Sequence, residues 1–375
     1  MKNIRIEKLA NMLTGLNDKL TNITAVTGFD GFIDIITRPI ARGDSRAPIE
    51  FYEDIPEFTT FLSTRAGSSC SVELAEYDRK LGGNAPIFAN ALGKLGVSTT
   101  CIGAFGYPEI ENVFKDISPN CNIIPVALPG TCTALEFSDG KIMLALNGEI
   151  NSMSWDIISK RAGLEKIIDE FSKGKLIGLF NWSETPLASD IWTGIINDVL
   201  PHISKDKRII FDFSDCARRK KEEVSGMLDI ITEFGRQLAT TISMNENETK
   251  AIYEALGISD NVLLAESGEL IRQRLSAEYI ILHFHDYSMG FSKDGACKFD
   301  TFNIKSPIIS TGAGDNFNAG LSLGLLLELS LIDAIIIASM TSSYYVAHGV
   351  SPDISGLIGF MNENVEHNGG ENNGN

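Results

Sequence analysis

The run Ser310-Thr311-Gly312-Ala313-Gly314-Asp315 passes within a few residues into the apolar stretch Leu321-Ser322-Leu323-Gly324-Leu325. Small residues ahead of an apolar helix leave unpaired backbone N–H groups at its positive end, a seat for an anion. Thr311 and the N–H groups of Gly312, Ala313 and Gly314 are the candidate donors. Asp315 falls in the same first turn. A carboxylate would repel an anion that was merely bound there. Beside a phosphoryl group under attack by a hydroxyl, however, it can take the hydroxyl proton. Read by itself, the run is equally well an ordinary helix start with a favourable first-turn acid.

A second segment, Leu81-Gly82-Gly83-Asn84-Ala85-Pro86, opens another helical pattern. Paired glycines let backbone approach a ligand closely, and the Asn84 amide can both donate to and accept from a hydroxyl. A Gly-Gly turn capped by Asn84, with Pro86 in the first turn, explains the same residues without a ligand. Two polar clusters end candidate strands: Gly28-Phe29-Asp30-Gly31-Phe32-Ile33-Asp34 and Asn181-Trp182-Ser183-Glu184. Doubly wound folds gather ligands at such carboxyl ends. Trp182 reads either as a platform for a ring or as core. Asn245-Glu246-Asn247-Glu248 has the spacing of a capping box, and Asp212 reads as a turn acid.

Together, the Gly-Gly-Asn and Gly-Ala-Gly-Asp turns resemble the paired signatures of the ribokinase-like (PfkB) carbohydrate kinases. The order and spacing fit, over roughly residues 20 to 360. The resemblance implies transfer of a phosphoryl group from ATP, with Mg2+, to a hydroxyl (a primary one) of a small sugar or sugar-like molecule. It implies that Gly82, Gly83 and Asn84 hold the sugar, that Asp315 is the base, and that Gly312, Ala313 and Gly314 form the anion hole beside Thr311. It also implies that Asn245 and Glu248 support the metal near the phosphates, Glu248 through water. An aspartate at the end of the first strand would bind sugar hydroxyls. Asp30 is favoured by its place at the strand end, and Asp34 by its spacing from the glycine. Asn181 would add a polar contact.

Three departures from the family pattern stand out. Ile309 occupies the place of an acid that often serves a monovalent-cation loop. Leu282-His283-Phe284-His285-Asp286 replaces a Thr-x-Gly turn beside the nucleotide, and its two histidines read as alternating faces of a strand end. The phosphate-side cation has no motif; Arg38, Arg42 and Lys80 are the candidates. Two other functions stay open: a nucleoside kinase of the same fold, marked by an apolar clamp on the base, and a non-catalytic sugar-binding or sensor protein that kept the fold. Relatives often dimerise through their lids, so the resemblance also implies a homodimer.

Composition narrows the partners. The formal net charge is −17, from 49 acidic against 32 basic residues in 375. Such a surface repels nucleic-acid backbones and anionic membranes, so no partner of either class is expected. An anionic nucleotide would have to be met locally. The six cysteines are scattered with no Cys-x-x-Cys pair, and the N-terminus lacks an apolar signal core, which fits a cytoplasmic protein. The apolar region Leu321–Met340 is interrupted by Glu328 and Asp333 and reads as two buried helices. There is no Gly-x-x-x-x-Gly-Lys-Ser/Thr and no complete dinucleotide fingerprint.

Strand-like runs at Ile23–Phe29, Thr99–Phe105, Lys175–Asn181, Arg208–Phe213, Leu238–Ser243 and Tyr279–His285 alternate with helical patterns such as Asp190–Val199. That alternation predicts an α/β fold, a doubly wound, mostly parallel sheet flanked by helices. A TIM barrel is disfavoured by two β-rich excursions. These are residues 39–81, with a short helix around Glu57–Ser63, and residues 121–150, with a turn at Ser138-Asp139-Gly140. By the resemblance they are a small β-rich lid inserted in one kinase domain, residues 1–361. The Asn/Gly/Glu-rich residues 362–375 are expected to be a frayed tail.

Overall fold

The computed structural model describes residues 2–43, 48–216, 219–258, 264–302 and 304–370. Its main sheet is built from β1 (Thr24–Phe29), then, after the small sheet's first strands β2 (Phe32–Arg42), β3 (Glu50–Phe51) and β4 (Leu74–Gly82), from β5 (Ser98–Gly103) and β6 (Cys121–Pro125). The chain next adds β7 (Gly130–Phe137) and β8 (Gly140–Leu146) to the small sheet. It returns to the main one with β9 (Leu176–Leu179), β10 (Arg208–Phe211), β11 (Ala239–Met244), β12 (Tyr279–His283), β13 (Tyr287–Ser292) and β14 (Gly295–Asp300).

The main sheet has nine strands in the order β14-β13-β12-β11-β10-β9-β1-β5-β6, parallel from β12 to β6 and antiparallel at the β13 and β14 edge. Its central strands are apolar on both faces, as a sheet covered twice must be. Adjacent residues feed opposite cores: Ile177 and Ile209 join one buried cluster, Leu176 and Ile210 the other. From β1 the chain steps out to β5 and β6, then returns to place β9 on the other side of β1. Strand order therefore reverses between β1 and β9. The crevice at their carboxyl ends is where such sheets take ligands.

Helix Ala313–Leu326 and helix Leu331–His348 correspond to the two expected in the apolar region, and no helix among the described residues is long and apolar enough to cross a membrane. They pack closely because Gly320 and Gly324 present no Cβ to Ala338 and Ala334. A methyl group on Gly324 would lie 2.6 Å from the Ala334 Cα.

The small sheet runs β3-β2-β7-β8, with β4 also on β2. It begins at Phe32, immediately after the first strand, and not at residue 39. Cys121–Pro125 is not part of it: this segment pairs parallel with β5 and extends the main sheet, because Ile124 belongs to the main core. The Ser138-Asp139 hairpin joins β7 to β8, and helix Ile55–Thr64 covers the expected Glu57–Ser63. The C-terminus departs from the expected fraying. Helix Ile354–Gly370 continues through most of that stretch, anchored by Leu357 and Met361 against the core that also holds Ile6 and Leu13. Residues 371–375 lie outside the described residues.

Candidate active site

The Thr311–Gly314 turn is held by its carbonyls. Ser310 accepts from the Ala313 N–H (3.1 Å), Thr311 from the Tyr345 hydroxyl (3.0 Å), Gly312 from the Asn316 amide (2.9 Å) and Ala313 from the Ser342 hydroxyl (2.9 Å). Two of these donors lie on helix Leu331–His348, which reaches the turn because the glycines of the facing helix let it approach. Gly312 adopts φ 89°, a left-handed value that suits glycine, and an added methyl would sit 2.9 Å from the Tyr345 oxygen. With every carbonyl engaged, the N–H groups of Gly312 and Gly314 have no acceptor among the described residues. The expected third donor is corrected: the Ala313 N–H closes the turn on Ser310 and is not free. The result is two free N–H groups at a helix N-terminus, an arrangement that suits an anion.

Asp315 is buried directly behind this turn. Its Oδ1 has no hydrogen-bond partner among the described residues, and its carboxyl accepts from the Asn84 side chain. Burial, then the charges of Asp212 and Asp30, push its pKa well above the ordinary aspartate value. The Asn84 amide oxygen in turn accepts from the Ser214 hydroxyl (3.0 Å). The Gly-Gly-Asn and Gly-Ala-Gly-Asp turns, more than two hundred residues apart, are thus joined through Asn84.

Asp30 ends β1 and is fully buried. It accepts from the N–H groups of Asn84 (2.8 Å) and Ala85 (2.9 Å) and from the Asn181 amide (2.6 Å). It caps helix Asn84–Lys94 across the β1–β9 crevice, satisfying donors that the helix start leaves open. Gly83, at φ 92°, wraps so tightly that a methyl there would lie 2.8 Å from the Asp30 carboxylate. Three of the roughly four acceptor positions of the Asp30 carboxylate are therefore already used within the protein. Asp34 makes no hydrogen bond among the described residues and faces a cavity. Burial raises its pKa to about 6, against the opposing pull of Lys80 and Lys141.

Asn245 and Glu248 form a reciprocal capping box: the Glu248 N–H donates to the Asn245 side chain (3.0 Å), and Glu248 accepts from the Asn245 N–H (2.9 Å) and amide (2.7 Å). Burial and then the Asp212 charge raise Glu248 well above the usual carboxylate range. Asp212, which reads as a turn acid in the sequence, is buried, accepts from the Ser214 N–H and the Asn318 amide, and is likewise raised by burial. Asp30, Asp212, Asp315 and Glu248 form a cluster in which carboxylates act on carboxylates and no cation is among the charges that shift them. A hydrated divalent cation fits such a place. With both Glu248 oxygens already bonded, contact through water suits it better than direct ligation. Among the described residues no three His, Cys, Asp or Glu side chains are grouped to hold a metal directly.

Two cavities meet at the turn. The larger, about 500 Å³, is lined by His283, Phe317, Ala313 and Gly314, and the smaller, about 180 Å³, by Asp34, Lys80, Thr311 and Tyr345. His283 packs on Phe317 with ring centroids 5.0 Å apart, and burial lowers its pKa to about 4, so it is neutral. His285 is exposed and bonds Asp286, as alternating faces predict. Trp182 is core and not a platform: it is buried, donates to Ser189 and lies beneath Arg219. Of the three candidate cations, Arg38 stacks on Phe51 while Lys80 lines the smaller cavity. Tyr345 carries no motif, and nothing in its apolar helix marks it in the sequence. Asp212 had a signal, an acid closing an apolar strand. Asn318, a buried amide three residues after Asp315, had another.

The sequence model of the prokaryotic ketohexokinase family matches residues 5–364. The chain belongs to that family. It is 24% identical over 346 residues to the ketohexokinase of Haloferax volcanii, covering 91% of each chain. In fold it is similar to the ribokinase of Thermotoga maritima (TM-score 0.63, 15% identity, 90% of this chain and 99% of that one). It is also similar to Arabidopsis thaliana ribokinase solved with ribose and ATP (TM-score 0.64, 15% identity, 90% and 98%). The expected ribokinase-like α/β fold holds, and this member of the ketohexokinase family is a carbohydrate kinase.

Proposed function

We propose that the protein transfers the γ-phosphoryl group of ATP to the primary hydroxyl of a ketohexose. The observation that carries this reading is the turn itself: Thr311 faces the smaller cavity, Ala313 and Gly314 the larger, and the free N–H groups lie between. The nucleotide enters the larger cavity and the sugar the smaller. Asp315 Oδ1 takes the hydroxyl proton as that oxygen bonds to phosphorus, and the bond to the departing ADP oxygen breaks. The N–H groups of Gly312 and Gly314 hold the negative charge of the group in transit. Asn84 orients Asp315, and Asp34 accepts from sugar hydroxyls. Glu248 and Asp212 would hold a hydrated Mg2+, which when bound would supply charge neutralisation for the nucleotide phosphates.

A sugar is favoured over a nucleoside by size and lining. The smaller cavity falls below the roughly 300–1,000 Å³ typical of larger ligands, and among the described residues Tyr345 is the single aromatic ring lining it. A non-catalytic sensor has no use for a buried carboxylate with one oxygen, Asp315 Oδ1, left without a partner beside an anion hole. The small sheet acts as a lid that excludes water during transfer. Its edge strand β8 exposes Leu144 and Leu146, which supports pairing of two copies there. A spectrophotometric screen of ketohexoses, aldoses and nucleosides with ATP and Mg2+ tests the assignment. Turnover of ketohexoses above the others is expected, and preference for a nucleoside would overturn it.

A further inference from the structure

Among the described residues, two non-glycine positions with left-handed φ lie just past the ends of neighbouring parallel strands: Asn181 after β9 (56°) and Ser214 after β10 (59°). Asparagine enters this region readily, whereas a serine there is strained by its Cβ. Glycine at 214 would relieve the strain and keep the backbone N–H, which donates to the Asp212 carboxylate (3.1 Å). What glycine lacks is the hydroxyl. That hydroxyl donates to the Asn84 amide oxygen (3.0 Å), 130 residues away in the chain.

Asn84 is thereby held at both ends. Its backbone N–H donates to Asp30, which the Asn181 amide holds in turn. Its amide oxygen is taken by Ser214, and its side chain donates to the Asp315 carboxyl. An ionised carboxylate can only accept, so the amide must meet Asp315 with its nitrogen, and its oxygen then needs a donor. Ser214 is that donor among the described residues. Ser214 lines neither of the two cavities at the phosphate turn, so it acts through Asn84 and not on a ligand.

We infer that Ser214 is a positioning residue for the transfer step. Its hydroxyl fixes the Asn84 amide, and through that amide the direction in which Asp315 presents its unpartnered Oδ1. The strained backbone at 214 is tolerated for the sake of that hydroxyl. This rests on Asp315 being the base.

Ser214→Gly and Ser214→Ala, each alone and combined with Asp315→Asn, test it, with ATP, Mg2+ and the ketohexose that wild type turns over fastest. Both single variants lose the hydroxyl, and alanine keeps the backbone restricted. Each should lower kcat about tenfold, with the KM values for sugar and ATP within about twofold of wild type. Ser214→Gly should melt no lower than wild type, since it sheds the strain. In the Asp315→Asn background neither substitution should lower kcat further, because a group acting through Asp315 has nothing left to position. Wild-type kcat in both variants, a loss confined to one of them, or an equal loss when Asp315 is already replaced overturns the positioning role alone. A Ser214→Gly that melts well below wild type overturns the strain argument. A wild type that turns over no ketohexose, or an Asp315→Asn as fast as wild type, overturns the assignment beneath it.

Discussion

Asp315 is where one side chain carries the most. A positioned carboxylate base typically contributes ~10²–10⁴ in rate. Asp315→Asn keeps the size and the Asn84 contact but cannot accept the proton, so kcat should fall by that order. Sugar and nucleotide should still bind, and the melting temperature should stay near that of wild type. Near-normal turnover would reduce Asp315 to a helix-start acid. Its environment also sets a pH dependence. Because burial and the neighbouring carboxylates raise its pKa, the acid limb of kcat/KM should lie above the ordinary aspartate range, and Asp212→Asn should move it down. The stability sign follows from the same shifts. An acid raised in the folded state binds more protons there than when unfolded, so its contribution is greatest at low pH and is lost as pH rises. For Asp34 that window runs from about 4 to about 6. The apo-protein's melting temperature should therefore fall more steeply with rising pH in wild type than in Asp34→Asn, and equal slopes in calorimetric scans would contradict this.

At the scale of elements, the site depends on two helices being close. Gly320 and Gly324 bring helix Leu331–His348 near enough for Tyr345 and Ser342 to hold the turn's carbonyls, which leaves the N–H groups of Gly312 and Gly314 free. In Gly320→Val the added side chain would meet Thr341 and Ala338, at 2.6 and 2.8 Å for its first carbon. Overpacking of this kind costs ~1–3 kcal/mol. Denaturant midpoints should drop accordingly, and kcat should fall further than the stability loss explains. Tyr345→Phe is the companion: it removes only the hydrogen bond to Thr311, so activity should decline while the melt barely moves. If Gly320→Val is destabilised yet fully active, the helix spacing does not tune the turn. The small sheet makes a separate prediction. Amide hydrogen exchange in β2, β4, β7 and β8 should slow when a turned-over sugar is bound, and unchanged exchange at saturation would argue against closure.

Taken as one molecule, the protein gathers buried acids around Asp315. Asp30, Asp212, Asp315 and Glu248 repel one another when ionised. Local strain joins them: Asn181 and Ser214, at the ends of β9 and β10, both take left-handed φ values, 56° and 59°. Calorimetry should detect no tight Mg2+ binding without nucleotide, because the described carboxylates form no direct cage and the nucleotide phosphates must complete the shell. Submicromolar Mg2+ affinity in the apo-protein would contradict this arrangement. Sedimentation should show a dimer that Leu146→Asp, on the exposed edge of the small sheet, converts to monomer. A wild-type monomer would remove that edge as an interface.

Much of this was legible in the sequence because it is local. The strand at Tyr279–His283 follows from its apolar run, and the Asn245–Glu248 box and the Gly312 turn from spacing alone. A glycine at positive φ followed by an acid in a first helical turn is a short-range pattern, and short-range patterns survive folding. What the sequence could not decide was which of two aspartates faces the smaller cavity. Asp30 and Asp34 are four residues apart and chemically identical. Only the docking of helix Asn84–Lys94 onto the β1–β9 crevice, with Asn181 beside it, engages the oxygens of one and leaves the other at a cavity. The same holds for Tyr345, on a helix that shows no chemical motif. Its role arises from a partner far away in the chain, and a contact of that kind exists only once the packing has been chosen.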